Sequence, residues 1–150
     1  MIYFIETALI AMVPVLELRG AIPFGIANGI DPVICYLIAV AANMIPVPFI
    51  ILFLRRLIWW LKEKGGIFEK PALWIEKRAE KKKGKVLRYE FWGLVLIVAI
   101  PLPGTGAWTG ALVASMMDMQ LKRAVPAVLL GVIIAGVLVT LATLGIISVI

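Results

Sequence analysis

The sequence predicts an all-α integral membrane protein with two re-entrant helical hairpins, two spanning helices and a cytoplasmic amphipathic helix, arranged as an inverted-topology repeat. Three observations lead to this fold class. The 150 residues are 63% hydrophobic with a mean hydropathy of +1.05, far above the composition of water-soluble chains. The positive charges gather in one connector. The apolar halves on either side of it repeat one order of elements.

The sequence predicts a single membrane domain in three parts. These are a first half (residues 1–54), a basic connector (residues 55–90) and a second half (residues 91–150). Each half begins with a short apolar stretch of about 12 residues, too short to cross a hydrocarbon core that needs about 20. A break rich in Pro and Gly follows, then a second short apolar piece, an acidic residue and a run long enough to span. In chain order these segments are 2–13, 14–23, 24–30, Asp31 and 33–54 in the first half, and 91–100, 101–110, 111–117, Asp118 and 124–150 in the second.

An offset of 87 positions aligns the two halves. Among the identical pairs at this offset are Phe4 with Phe91, Pro14 with Pro101, Ala27 with Ala114, and Asp31 with Asp118. The shared order of elements is a stronger argument for a repeat than these few identities.

A short helix, a break and a second short helix form the pattern of a re-entrant hairpin, because irregular backbone at membrane depth is stable only when protein buries it or it lines a cavity. The alternative is four ordinary spanning helices with kinks at the breaks. Charge separates the two, since cytoplasmic loops are rich in Lys and Arg. If the connector is cytoplasmic, four spans place Lys122 and Arg123 outside, whereas two opposed hairpins keep them inside. The opposed hairpins, with the halves inverted relative to one another, therefore agree with the charge distribution.

The connector carries most of the positive charge. Of the 15 Lys and Arg residues, 14 lie within residues 55–88 or at Lys122 and Arg123. Clustering beside apolar segments indicates a cytoplasmic side and an affinity for anionic lipid, and it argues against nucleic acid as a partner. Behind Pro71, apolar residues recur at helical spacing, which predicts an amphipathic helix on the membrane surface. These residues are Phe68, Ala72, Ile75 and Ala79.

The remaining composition argues against a metal site, a cofactor and enzymatic activity. Cys35 is the sole cysteine and there is no His, so no disulfide forms within the chain and the commonest metal ligand is missing. The apolar segments supply no nucleophile with a matching base.

The first break carries a pair of opposite charges, Glu17 and Arg19, within an apolar stretch. One charge at bilayer depth costs roughly 2.5–3.5 kcal/mol, so the pair needs partners or a function. Gly20 and Pro23 argue against regular helix here, and alternation around Leu18 predicts that the two charges point apart, each toward its own partner. Arg19 suits a phosphate or carboxylate, and Glu17 can bind and release a proton. The structural alternative is that the charges neutralise each other, or a buried dipole, and hold the hairpin tip together.

The second break has no charge but favours anion binding. Gly104, Thr105 and Gly106 permit a turn whose N–H groups converge, and a half-helix starting near Ala107 would add the partial positive charge of its N-terminus. Arg19 and these amides are therefore predicted to hold one anionic headgroup near the midplane. The other residues predicted to line the site are Pro101, Pro103, Trp108, Thr109 and Gly110.

The first long apolar run is interrupted near its centre by Pro46 and Pro48. Proline has no N–H, so carbonyls about four residues upstream, near Ala42 and Met44, lose their helical partners. Asn43, water or a substrate would then bond to them, which makes Asn43 a candidate binding residue. A simple structural kink is the alternative.

Residues 17–23, Glu-Leu-Arg-Gly-Ala-Ile-Pro, and residues 101–110, Pro-Leu-Pro-Gly-Thr-Gly-Ala-Trp-Thr-Gly, closely resemble the putative small multidrug export family, which looks related to the DedA-like (VTT-domain) superfamily. The resemblance covers nearly the whole chain. It implies two re-entrant hairpins packed against spanning helices in an inverted repeat, and movement of lipids, including polyprenyl phosphates, across a membrane. The DedA-like pattern supplies an arginine in the second hairpin, and residues 101–117 contain none. The functional residues that the resemblance implies are therefore limited to Glu17, Arg19 and the Gly/Pro framework.

We therefore expect a multi-pass transporter of the cell membrane that moves an amphiphilic anion, with a lipid phosphate such as polyprenyl phosphate as the leading candidate and with proton coupling. Two full spans leave little protein to shield the breaks, so we expect a homo-oligomer. One alternative is a proton-coupled exporter of organic cations, which would depend on Glu17 and tolerate loss of Arg19. Another is a non-transporting assembly factor or scaffold that acts through the basic connector.

Overall fold

A computed structural model describes residues 1–64, 86–102 and 104–150. Within these ranges the chain is helical and has no strand, which confirms the all-α class. Pro103 and the predicted amphipathic helix at residues 68–79 lie outside the described residues. The helices of the described part are α1 (Ile2–Met12), α2 (Glu17–Ala27), α3 (Pro32–Met44), α4 (Pro46–Lys64), α5 (Val86–Ala99), α6 (Ala107–Met116) and α7 (Leu121–Val149).

Four of these helices, α1, α2, α5 and α6, are short, with 10 to 14 residues each. At a rise of about 1.5 Å per residue they are roughly 15–21 Å long, less than a hydrocarbon core of about 30 Å. α1 packs on α2 and α3, and α5 packs on α6 and α7. Each short pair is therefore a helical hairpin that packs against the long helix of its own half. We call α1 with α2 the first hairpin, and α5 with α6 the second hairpin.

Among the described residues, two helical segments are long and apolar enough to cross a membrane, Pro32–Leu61 with 30 residues and Leu121–Val149 with 29, as the sequence predicts. The first of them is interrupted at Ile45, where α3 ends and α4 begins with Pro46. Proline is favoured in the first turn of a helix, because the N–H that it lacks has no partner there. The predicted interruption of this run is confirmed.

Two helical segments differ from their predicted bounds. The first long run was expected to end at residue 54, but α4 continues to Lys64. The first break was expected at residues 14–23, but only residues 13–16 are not helical, and α2 runs through Gly20 and Pro23. A helix satisfies its own backbone groups, which matters most in apolar surroundings, and this gain outweighs the one bond that Pro23 cannot make.

The turns that follow the two hairpins are built alike. Each ends its helix with the same pair of backbone hydrogen bonds, around a residue with positive φ, 83° at Gly29 and 53° at Asp118. The amides of Asn28 and Ile30 donate to Phe24 and Gly25 in the first turn, and those of Met117 and Met119 donate to Val113 and Ala114 in the second.

These equivalent turn residues lie 89 positions apart, as Asn28 and Met117 do, whereas α1 and α5 end 87 positions apart, at Met12 and Ala99. The predicted offset of 87 is therefore wrong for everything after the hairpin tips, including the pairs Ala27 with Ala114 and Asp31 with Asp118. The reason is that the second tip is longer than the first.

Small side chains dominate the interior. Many of the largest apolar side chains point outward instead, and Phe49 and Phe53 are 70% and 67% exposed. Small residues let helix backbones approach closely and are enriched where transmembrane helices pack. This distribution, together with the two long apolar helices, is typical of a membrane protein. The buried alanines are Ala11, Ala21, Ala39, Ala42, Ala99, Ala107, Ala111, Ala114, Ala124, Ala127 and Ala135.

The two hairpins attach to opposite ends of the long helices. In the middle of α4, Nε of Arg55 lies 3.5 Å from Oδ1 of Asp118, so the turn between α6 and α7 sits beside the half of α4 that carries its first basic residues. At the other end of the apolar run, Asp31 caps α3 by accepting a hydrogen bond of 2.9 Å from the amide of Val33. The hairpins therefore approach one another from opposite directions, and their tips meet.

Candidate functional site

Glu17 connects the first hairpin to the start of α6. It is the first residue of α2 and is 4% exposed. Its carboxylate accepts hydrogen bonds from the amide of Ala107 at 3.2 Å and from the amide of Trp108 at 3.1 Å. The first amides of a helix have no partner within the helix, so Glu17 caps α6 from a distant part of the chain. Its negative charge also lies at the positive end of the α6 dipole.

Unusual backbone on both sides makes this contact. Gly106, the N-cap of α6, has φ 142° and ψ −160°, a region that is nearly restricted to glycine. A Cβ at this position would overlap the carboxylate of Glu17. Glu17 has φ 46°, which is uncommon for a residue with a side chain. Gly106 is therefore required both for its conformation and for the space that it leaves.

Arg19 connects α2 to the end of α5. Its guanidinium donates to the carbonyl of Leu102, to the carbonyl of Ile100 at 3.2 Å and to the hydroxyl oxygen of Thr105 at 2.8 Å. The Thr105 hydroxyl is also 2.8 Å from each of these two carbonyls. The last carbonyls of a helix lack intrahelical partners and form the negative end of its dipole. Arg19 therefore holds the turn that directly follows α5, and Glu17 satisfies the start of α6.

Trp108 provides a third connection in the reverse direction. Its indole Nε1 donates to the carbonyl of Met12, the last residue of α1, at 3.1 Å. Each hairpin thus satisfies backbone groups at the helix ends of the other. We call the contacts of Glu17, Arg19 and Trp108 with the opposite hairpin the tip interlock.

The charged pair lies in a helix and not in a strand-like segment, so the alternation predicted around Leu18 is wrong. Glu17 and Arg19 nevertheless have separate partners, and no ion pair within 4 Å joins the two side chains. The predicted half-helix does begin at Ala107. Its first amides face Glu17, however, and Arg19 faces carbonyls, so both halves of the predicted anion site are engaged within the protein.

Within the second break, Thr105, Gly106 and Trp108 take part in the tip interlock, and the other predicted residues lie around it. The Thr109 hydroxyl donates to the Gly104 carbonyl at 2.7 Å, which closes the turn before α6. Gly104 has φ 80° and is exposed, as is Pro101.

Three of the residues predicted for the binding site lie in packed parts of the hairpins and not in the tip interlock. Gly110 is buried, and a Cβ there would overlap the side chain of Val98 on α5. A Cβ on Gly20 would lie 3.0 Å from the Cβ of Leu16, inside the first hairpin. Pro23 is half-buried in the middle of α2. These residues shape the hairpins that carry the tips.

Asn43 lies near the end of α3, and its side chain is fully buried, with an exposed fraction of 0%. Neither Nδ2 nor Oδ1 has a hydrogen-bond partner in the described part of the chain. The Ala42 carbonyl accepts instead from the amide of Ile45 at 3.2 Å. The bond predicted from Asn43 to the carbonyls upstream of the prolines is therefore not made.

Sequence reasoning missed the acceptors of the tip interlock, because they are backbone carbonyls. Met12 and Ile100 are apolar residues at helix ends, and their side chains give no sign of this role. An indirect signal was present at Leu102, which lies between two prolines. Regular helix cannot continue through these two prolines, so the carbonyls beside them lie in an irregular turn, and a nearby arginine could have been assigned to that turn.

A family model described as "Putative small multi-drug export protein" matches residues 17–138, about four fifths of the chain. The match begins at Glu17, directly after the first tip, and includes the second tip, the helix break near Asn43 and most of α7. No curated protein and no solved structure matches the chain.

Proposed function

Because this chain belongs to the family described as putative small multi-drug export proteins, we propose that it is a membrane transporter in which the tip interlock closes the translocation path. An exporter family is not a class of enzyme. The tip interlock is the observation that carries the proposal. A purely structural joint could be apolar, whereas a charge at bilayer depth costs roughly 2.5–3.5 kcal/mol. Glu17 and Arg19 instead form polar contacts that can open and re-form.

In the proposed arrangement both hairpins are re-entrant and the halves form an inverted repeat in the cell membrane. The short length of α1, α2, α5 and α6 supports this, since none of them reaches across a hydrocarbon core. The contact of Arg55 with Asp118 also supports it, because it groups Lys122 and Arg123 with the basic connector on one side. By the positive-inside rule that side is the cytoplasm. Such repeats carry substrate sites where their halves meet.

The substrate that suits this site is an amphiphilic anion. The start of α6 and the guanidinium of Arg19 are both binding groups for anions. In the present conformation the start of α6 holds the carboxylate of Glu17. When the tips separate, an anionic headgroup would take the place of this carboxylate, while its hydrocarbon tail stays in the lipid. A lipid phosphate such as polyprenyl phosphate has this chemistry, and it agrees with the resemblance to DedA-like proteins, which stays a prediction.

A proton provides a simple trigger for opening. Hydrogen bonds from amides to an ionised carboxylate are about twice as strong as those to neutral acceptors. Protonation of Glu17 would therefore weaken its hold on Ala107 and Trp108. It would also remove the negative charge from the positive end of α6, which favours exchange for an anionic substrate.

The tips also reach the surface of the chain, which supports a homo-oligomer. Val15 is 86% exposed and Leu102 is 55% exposed. Irregular backbone cannot face hydrocarbon, because its N–H and C=O groups would have no partners there. In the proposed transporter a second copy of the chain covers this side, and the path for the substrate runs between the tips.

The family description names multi-drug export, and a second candidate function of this kind is export of organic cations coupled to protons. In that case the Glu17 carboxylate is the exchange site, released from α6 to bind either the cation or a proton. Arg19 then serves only to hold the tips. The two candidates differ in which charge the substrate needs.

Transport by purified protein in vesicles distinguishes them. The probes are fluorescently labelled phosphatidic acid, an anionic lipid, and ethidium, an organic cation, with Arg19→Lys, Glu17→Gln and the control Gly93→Ala, whose added Cβ meets nothing within 4 Å. An anion transporter should move phosphatidic acid and lose at least tenfold in rate with Arg19→Lys, because Lys cannot reproduce the three contacts of Arg19. An ethidium exporter should lose activity with Glu17→Gln and keep it with Arg19→Lys.

Failure of the wild type to move either probe faster than empty vesicles would contradict transport of both substrate classes. The control is needed because a damaged fold would lower every rate, so each variant is compared at equal thermal stability and equal reconstitution.

The membrane arrangement has its own test, labelling of single cysteines in a Cys35→Ala background. Asn28→Cys reports the turn after the first hairpin, and Gln120→Cys reports the turn after the second. Opposed re-entrant hairpins predict that an impermeant reagent labels residue 28 from outside and residue 120 from inside. Labelling of both from the same side would rule out the inverted repeat.

A further inference from the structure

Asn43 carries a polar side chain that takes no part in the tip interlock and has no hydrogen-bond partner among the described residues. It is fully buried at 0% exposure, and both of its polar atoms lack a partner in the described residues. A buried amide without partners is destabilising, and native structures contain few of them. An apolar residue of similar size would be more stable at this position if packing were its only role.

The chain around Asn43 also lacks backbone donors. α3 ends at Met44, and Pro46 and Pro48 follow within four residues. Pro48 cannot donate to the carbonyl of Met44, four residues before it, because proline has no N–H. The side chain of Asn43 thus lies at a helix break where polar backbone groups are already short of partners. Broken helices at membrane depth occur where the backbone lines a cavity or a binding site.

Asn43 lies at the level of the tip interlock. α2 and α3 pack side by side and are joined by a short turn at residues 28–31. Glu17 is ten residues from the end of α2 at Ala27, and Asn43 is eleven residues from the start of α3 at Pro32. At about 1.5 Å per residue, both lie roughly 15–17 Å from this turn. The unsatisfied amide of Asn43 and the contacts of Glu17 therefore lie at the same depth along α2 and α3.

We propose that Asn43 is a second binding point of the translocation site, which binds an uncharged group that both donates and accepts hydrogen bonds, such as a hydroxyl of the substrate headgroup. The proposal rests on the proposed transport function and adds a subsite to it. Oδ1 needs a donor and Nδ2 needs an acceptor, and one hydroxyl supplies both. A metal ion would leave Nδ2 unsatisfied, and the described residues contain no group of three or more His, Cys, Asp or Glu that could hold one. Asn43 is closed off while the tips are locked and becomes accessible when they separate.

Accessibility is tested first, because it needs no transport assay. Asn43→Cys is introduced with Cys35→Ala, and its reaction with a water-soluble thiol reagent is followed with the tips intact and with Arg19→Lys. Ala39→Cys is the matched control, one helical turn away on the same face of α3 and also fully buried. We expect residue 43 to react at least tenfold faster when Arg19 is changed, and residue 39 to stay unreactive.

Equal reaction at residues 39 and 43 would show general loosening of the fold, and no reaction at residue 43 would show that the tips do not control it. Either result overturns the proposal. Neither depends on which substrate the wild type moves, so this arm remains decisive even if the proposed transport function is wrong.

The binding role is tested with two labelled lipids, phosphatidylglycerol, which carries headgroup hydroxyls, and phosphatidic acid, which lacks the glycerol headgroup. Asn43→Leu should leave the melting temperature unchanged or higher, since it removes unsatisfied polar atoms. It should lower transport of phosphatidylglycerol about tenfold, the effect of losing one or two ordinary hydrogen bonds, and that of phosphatidic acid less than twofold. Equal transport of each lipid by Asn43→Leu and wild type would overturn the subsite, as would an equal loss for both.

Discussion

Gly106→Ala is the substitution for which the structure makes the sharpest prediction. Two effects add at this position. Alanine has to adopt φ 142°, which costs on the order of 1–3 kcal/mol. Its Cβ also displaces the Glu17 carboxylate from two amides, and hydrogen bonds to a charged group contribute about 1.5–3 kcal/mol each. The contact with Glu17 alone therefore accounts for about 3–6 kcal/mol, a large part of a typical stability of about 5–15 kcal/mol.

The assay is thermal unfolding of the purified protein, where 1 kcal/mol corresponds to about 2–4 °C for a chain of this size. Gly104→Ala is the matched control, because Gly104 also has positive φ, 80°, while its Cβ would meet nothing within 4 Å. We expect Gly106→Ala to melt on the order of 10 °C below Gly104→Ala. In a Glu17→Ala background most of this difference should disappear. Equal melting temperatures for the two glycine variants would refute the reasoning, since Glu17 would then not depend on the space at residue 106.

Two further substitutions test the tip interlock and the packing of α7 on α5. Trp108→Phe removes the hydrogen bond to the Met12 carbonyl and should lower the free energy of unfolding by about 1 kcal/mol, measured by thermal unfolding; an unchanged melting temperature would show that this bond contributes nothing. Gly131→Ala would place its Cβ 2.6 Å from the Cβ of Val98 and should destabilise by about 1–3 kcal/mol. Gly145→Ala in the same helix meets nothing within 4 Å and should be neutral or slightly stabilising. Destabilisation by both would contradict the packing argument.

The helical fold class could be predicted because it depends on local and additive properties. The long apolar runs are long enough to span wherever they sit in the chain, and Pro46 interrupts its run through covalent chemistry alone. The start of α6 near Ala107 followed from the preceding glycines in the same way. These features needed no knowledge of distant residues.

The first break could not be predicted correctly from local signals. Gly20 and Pro23 both disfavour a helix, yet α2 includes them. Packing of α2 on α1, α3 and α7 places this segment where unsatisfied backbone would be costly. Tertiary surroundings therefore outweighed local propensity, and the strand-like alternation of Glu17 and Arg19 was wrong for the same reason.

Glu17, Arg19 and Asn43 were identifiable as candidates because a charge or an amide in an apolar stretch is anomalous by composition alone. The contact partners of these three residues could not be identified from the sequence. The sequence predicted that Arg19 and the amides of α6 bind a substrate anion. In the folded chain Arg19 donates to Thr105 and the amides of α6 donate to Glu17.

The sequence by itself determined that the chain is helical and apolar, where its long helices lie and which polar residues need an explanation, because hydropathy, proline and glycine act locally. Only the tertiary structure decided that Glu17 caps α6, that Arg19 holds the turn after α5 and that Asn43 has no partner among the described residues. The partners lie more than 80 positions away along the chain. They are mostly backbone amides and carbonyls, which every residue carries and which no residue type reveals.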